Sequence, residues 1–227
     1  ACKIITESEF LKKKIIKKYK LKPNSIISIP NVPSILLKQK KRKEKKLSKF
    51  KNYYFYPAQF WQHKNHIIIL KVVKKLKMLG KNINFVFCGK DKGNLMYIKK
   101  KISDFNIKNN IQIFNYVSEN NLLKLYTHCK ALVMPTFFGP TNIPPVEAWA
   151  LGVPVAYSSV NRDHGGDAAL YFNPDSEDQL TQVIFQLDSL NTKKMLISKG
   201  KKRFKHLNLE NKIKHKLFVS EIKKLNL

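Results

Sequence analysis

The 227-residue chain carries 44 Lys and Arg against 15 Asp and Glu, a formal net charge of +29, with 43% hydrophobic and 11% aromatic residues. No apolar run in it approaches the ~20 residues of a bilayer-crossing helix, no signal peptide is visible, and the apolar content suffices for a sizeable core. Its three cysteines, Cys2, Cys88 and Cys129, show no C-x-x-C spacing, which excludes zinc-ribbon and dithiol chemistry and leaves reduced core thiols.

Residues 3–6 read as a strand, EFLKKKIIKKYK as a helix and SIISIPN as a second strand. The chain starts with Ala1 inside an apparent strand, so residues 1–33 are expected to be the end of a preceding domain of a longer protein. Residues 34–51 read as a basic linker, dominated by the run from Lys38 to Lys51. So much positive charge suits a polyanion. Yet lysine is spread along the whole chain beside Asn and Ile, as on a solvated surface, so no nucleic-acid partner is expected. The dense run suits weak, peripheral contact with an anionic membrane.

Regular alternation follows over 52–205. NYYFYP reads as a strand and 64–79 as a helix with Ile69, Val72, Val73, Leu76 and Leu79 on one face. Then come the strand INFVFCG, the helix LMYIKKKISDF, the strand IQIFNY, the helix SENNLLKLYTHC capped by Ser118, and the strand ALVMP. A Gly/Pro-rich loop leads into a helix from Pro144 to Leu151, followed by strands VPVAYS and ALYF, a helix SEDQLTQVIFQLDSL and two Lys-rich helices, the last over 206–227. Strands alternating with helices predict an α/β fold, a doubly wound parallel sheet preceded by a partial β-α-β unit.

Ligands of such sheets bind beyond the carboxyl ends of strands, where the Gly/Pro loop lies. Pro144 and Pro145 suit a first helical turn, whose free amides attract anions. Gly139 permits close approach to the backbone, and Thr141, Asn142 and Ile143 offer main-chain donors where Pro140 has none. Glu147, read as lying in that first turn, can accept from vicinal hydroxyls. Phosphates with hydroxyls would suit a nucleotide sugar; the same features also describe an ordinary helix N-terminus with a carboxylate on its dipole.

The stretch MPTFFGPTNIPPVEAWALGVPVAYS resembles the donor-binding segment of family 4 glycosyltransferases, retaining enzymes of the GT-B fold, usually written E-G-F-G-L-P-P-L-E-A-x-A-x-G-x-P-V. The likeness runs from about Tyr53 to Leu190, through YPAQFWQHKNH, IQIFNYVSENNLLKLYTHCKALVMP and GGDAALYFNPDSEDQL. It implies a Rossmann-like donor domain over 52–205, with 1–33 as the end of the acceptor domain. It also implies transfer of a sugar from a nucleotide-sugar donor to a glycan or lipid-linked acceptor, without a metal or other cofactor; a non-catalytic donor-binding domain and a sugar-nucleotide epimerase or phosphorylase of the same fold are the alternatives. A cytoplasmic location, peripheral at the membrane inner face, is expected. Glu147 matches the second Glu of the family's E-x7-E motif and implies ribose binding; the first Glu falls at Gly139. Lys64 matches the phosphate-binding Lys, whereas its partner Arg falls at Gln59, leaving His63 or Lys90 as substitute cations. Asn115, Tyr116 and Val117 fall in the base-binding region. Tyr56, Phe60 and Trp61 read as packing aromatics, His63 and His66 as no metal pair, and His164 as a solvent-facing loop residue. Asp163 and Asp167 make no convincing acid–base pair, and GKDKG reads equally as a turn or as a wall facing the nucleotide.

Overall fold

The computed structural model describes residues 3–32, 47–139 and 142–223. A parallel pair, β1 (Ile4–Thr6) and β2 (Ile26–Ser28), is joined by α1 (Glu9–Tyr19), the crossover that parallel pairing requires. Ser8 starts α1 by accepting from the Leu11 amide at 3.2 Å, and Lys20, in the left-handed region at φ 51°, ends it. Of the expected linker only Leu47–Lys51 lies within the described residues. Ser48 Oγ and the Lys49 amide both donate to Gln112 Oε1, at 3.0 and 3.1 Å, so its end is docked on the sheet edge.

The main sheet contains β3 (Tyr54–Pro57), β4 (Phe85–Cys88), β5 (Ile111–Phe114), β6 (Leu132–Met134), β7 (Val155–Ser158) and β8 (Leu170–Phe172). All pairings are parallel and the order is β5-β4-β3-β6-β7-β8. Six helices alternate with these strands or follow them: α2 (His66–Met78), α3 (Leu95–Asp104), α4 (Glu119–His128), α5 (Ile143–Leu151), α6 (Arg162–Gly165) and α7 (Glu177–Gln186). Helices cover both faces, which is why the central strands are continuous apolar runs: all of Phe85–Cys88 and Val155–Ser158 is buried. The predicted doubly wound α/β sheet and the N-terminal β-α-β unit are both present.

Two expectations change. The two closing helices are one, α8 (Leu190–Lys223), running unbroken through the expected boundary at 205/206. Gly200 lies within it and allows close packing: a Cβ there would lie 2.7 Å from Trp149 Cδ1 on α5. The far end of α8 returns to the N-terminal unit, where Asn211 Nδ2 donates to the Pro30 carbonyl at 2.8 Å and Lys3 pairs with Glu221 at 3.1 Å. The stretch NRDHGGD, read as a loop, contains the short helix α6 and is partly buried.

Candidate functional site

In this strand order the chain leaves β3 for β4 on one side and enters β6 on the other, so a crevice opens beyond the carboxyl ends of these two strands. Both crevice walls are loops tied to each other. After β3, Phe60 donates its amide to the Lys90 carbonyl at 3.0 Å, and Gly89 sits so close that a Cβ would lie 2.2 Å from the Ala58 carbonyl oxygen. After β6, the Phe137 amide and Thr136 Oγ1 donate to the His63 carbonyl at 2.9 and 3.3 Å. Buried Asn65, left-handed at φ 54°, donates from Nδ2 to the carbonyls of Pro135 at 3.2 Å and Pro174 at 2.8 Å. The phenyl ring of Phe138 stacks on His63, with centroids 4.2 Å apart.

Across this crevice Lys64 Nζ donates to Asn142 Oδ1 at 3.2 Å, joining two residues 78 positions apart in sequence. The Lys64 carbonyl is held by Tyr56 Oη at 2.8 Å, and burial lowers the pKa of its ammonium. Such a cation is poorly hydrated and gains from an anion beside it. Asn142 is itself buried: its Nδ2 donates to the Gly139 carbonyl at 3.1 Å and to Tyr157 Oη at 2.7 Å. Gly139 has φ +126°, and a Cβ on it would meet Asn142 Oδ1 at 3.1 Å. A side chain at this position would be strained by this φ and would press on Asn142. Pro140 and Thr141 lie outside the described residues.

Helix α5 begins at Ile143, one residue earlier than expected, with Asn142 before it. Glu147 thus falls in the second turn, not the first; no acidic residue occupies the first turn. Pro144 and Pro145 also remove two amide donors from that turn, which leaves Lys64 as the principal positive group facing the loop. Glu147 is half-buried. Tyr126, fully buried on α4, donates from Oη to Glu147 Oε2 at 2.5 Å and to the Pro144 carbonyl at 3.4 Å. Burial raises the carboxyl pKa, and the Tyr126 bond opposes the shift. Oε2 accepts from Tyr126, and among the described residues no donor is bonded to Oε1. Val146 and Trp149 carry the helix's buried bulk, as expected.

The other expected residues fall around the same edge. Gln59 is exposed and accepts from Trp61 Nε1 at 3.0 Å. Asn115, Tyr116 and Val117 follow β5, with Tyr116 76% exposed. Ile143 opens α5 at the crevice. Tyr56 and Phe60 are fully buried packing, whereas Trp61 is surface. Burial, with the Lys64 charge adding, lowers the pKa of His63 below the ordinary 6.5, which disfavours its charged form. His66 is wholly buried against Phe60, Tyr56 and Phe87, and burial pushes its pKa to about 3. His164 is buried, not solvent-facing; its ring packs on Trp149, Nδ1 lies 3.3 Å from Tyr157 Oη, and its carbonyl accepts from Arg203 Nε at 3.0 Å. In GKDKG, Asp91 Oδ1 accepts from the amides of Gly93 at 2.8 Å and Leu95 at 3.1 Å, which is the geometry of a turn. Among the described residues no group of three or more His, Cys, Asp or Glu is placed to hold a metal.

Tyr126, Tyr157 and Asn161 were not singled out from sequence. Tyr126 and Tyr157 lie inside stretches that carry the family resemblance but match none of its named positions, and only the fold shows their contacts. Beside them a cavity of about 620 Å³ separates Phe137–Gly139 and α6 from the start of α1 and from α8.

Residues 38–203 match the family described as Glycosyl transferases group 1. The chain is 31% identical over 194 residues to the O-antigen chain mannosyltransferase RfbU of Salmonella typhimurium, covering 83% of this chain and 52% of that protein. It is 30% identical over 104 residues to O-antigen chain mannosyltransferase B of Escherichia coli, covering 44% of this chain and 27% of that one. The chain therefore spans about half the length of the first of these relatives. Among solved structures, a glycosyltransferase from Rickettsia africae superposes with a TM-score of 0.81 at 16% identity, covering 97% of this chain and 64% of that one. Anabaena HepE in complex with UDP-glucose superposes at 0.78 with 13% identity, over 97% and 64% of the two chains. These likenesses share the fold just described, and the chain belongs to the glycosyl transferases group 1 family.

Proposed function

We propose that this chain is the donor-binding half of a retaining glycosyltransferase that moves a sugar from a nucleotide sugar to a glycan or lipid-linked acceptor. The names of its curated relatives make mannose the first sugar to try. The observation that carries the reading is the Lys64–Asn142 contact at 3.2 Å, which sets a half-buried cation at the mouth of the strand-order crevice. There Lys64 would meet the diphosphate, assisted by the amides of Asn142 and Ile143, and stabilise the charge that develops on it as the glycosidic bond breaks. Glu147 would hold the ribose through Oε1, while Asn115, Tyr116 and Val117 face the base and Gln59 lies beside the phosphates. Binding energy at the nucleotide then orients a reacting bond some distance away. No side chain is nominated as nucleophile; the leaving phosphate takes the acceptor's proton. A metal has no assigned part. Among the described residues no helix is long and apolar enough to cross a membrane. The net charge of +29 suits weak contact with an anionic membrane surface that carries a lipid-linked acceptor.

A thermal-shift panel of UDP-, GDP-, ADP- and dTDP-sugars tests this reading. One nucleotide series should raise the Tm in a saturable way, without turnover by residues 1–227 alone. Indifference to all four would remove the reading.

A further inference from the structure

We infer that Asn161 reads the transferred sugar, its side-chain amide donating to one hydroxyl of the glycosyl ring. The inference rests on the donor-binding reading above and adds a residue to it. Asn161 is 4% exposed, and its Nδ2 is buried without any hydrogen-bond partner. It is part of the wall of the 620 Å³ cavity, together with Phe138, Gly139 and His164. Buried amide N–H groups are almost always paired, so one without a partner in the wall of a cavity is a donor that a ligand oxygen can take up.

The neighbouring Asn142 favours one orientation of this amide. Asn142 Nδ2 lies 3.5 Å from Asn161 Oδ1, so turning the Asn161 amide over would set two NH2 groups against each other. The same Asn142 accepts from Lys64 through Oδ1. A continuous row of side chains thus leads from the cation at the phosphate position, through Asn142, to the free donor of Asn161. Phosphate and sugar are covalently adjacent in a nucleotide sugar, and this row has the matching sequence of a cation followed by a hydroxyl-seeking donor. Tyr157 and His164 complete the surroundings. Burial holds the His164 imidazole neutral, with a pKa near 4, and Tyr157 Oη already receives the second Asn142 N–H. Neither competes for the acceptor that Asn161 lacks. The exposed ring of Phe138 provides an apolar flank of the kind that packs on a sugar face.

The test compares GDP with GDP-mannose, and UDP with UDP-glucose, by calorimetry on the wild-type chain and on Asn161→Ala and Asn161→Leu. Leu keeps the shape and adds no charge but has no N–H, so it guards against a mere packing defect in the Ala variant. Both variants should bind the free nucleoside diphosphate as the wild type does. Both should bind its sugar conjugate roughly tenfold more weakly relative to that nucleotide, the effect of one lost hydrogen bond in a buried site. Deoxy analogues of the better sugar should show one position whose penalty in the wild type disappears in the variants. An unchanged ratio of sugar-nucleotide to nucleotide affinity would overturn the role of Asn161 and leave the nucleotide site standing. Absence of binding of any nucleotide to the wild type would overturn both.

Discussion

Replacing Glu147 by Gln probes the ribose contact with the least disturbance. The structure gives the magnitude. Oε2 accepts from Tyr126 Oη at 2.5 Å, so Oε1 is the less engaged oxygen, and one strong ribose bond to it is the expected contact. A hydrogen bond to a charged group contributes roughly 1.5–3 kcal/mol, and one between neutral groups roughly 0.5–1.5 kcal/mol. Gln retains an acceptor but loses the charge, so the expected loss is about 1.5 kcal/mol, close to tenfold in Kd. The fold should not suffer, since Gln can still accept from Tyr126 and a carboxyl whose pKa is raised by burial costs stability when ionised. Calorimetry with a nucleoside diphosphate and its 2′,3′-dideoxy analogue reads the effect. The wild type should prefer the ribose form, and the variant should lose about tenfold of that preference at unchanged Tm. A variant that discriminates as well as the wild type would show that Glu147 binds only Tyr126 and that the ribose lies elsewhere. The ribose preference of the wild type should also fade on the acid side at a pH above the ordinary Glu value of 4.5, because the protonated carboxyl no longer offers a charge.

Two further outcomes follow from the same geometry. Lys64→Met keeps the aliphatic stem but removes the cation, so diphosphate affinity should fall by roughly 1.5–3 kcal/mol while nucleoside affinity stays put; equal losses for both ligands would place the phosphates away from Lys64. His66 is buried neutral with a pKa near 3, against an unfolded value of 6.5, so the stability that its neutrality contributes is present above pH 6.5 and is lost as pH falls toward 3. Between pH 6.5 and 4 that loss is on the order of 3 kcal/mol, and His66→Phe should flatten the acid limb of a urea-denaturation series; a limb of unchanged steepness would refute the assignment.

Much of this was legible in the sequence because it is encoded locally. Apolar runs such as FVFC and VAYS announce strands buried on both faces, Ser118 announces the cap of α4, and the crowding of glycine and proline from Phe137 to Val155 announces a loop on the ligand-binding edge. What failed depended on distant partners. Pro144 marks a helix start by its fixed φ, yet Ile143 precedes it in the helix, and that one-residue difference moved Glu147 into the second turn. His164 looked solvent-facing among Asn, Arg, Asp and Gly, and is buried because Trp149 and Tyr157 close over it. The bond from Tyr126 to Glu147 spans 21 residues and that from Lys64 to Asn142 spans 78, so no local pattern could show either.

The central claim is that the crevice between β3 and β6 holds a nucleotide-sugar donor. A crystal structure of the chain with the nucleoside diphosphate selected by the thermal-shift panel tests it most directly. The account predicts phosphate oxygens within hydrogen-bond distance of Lys64 Nζ and a ribose hydroxyl on Glu147 Oε1. A nucleotide bound on any other face, with Lys64 still donating only to Asn142, would contradict it.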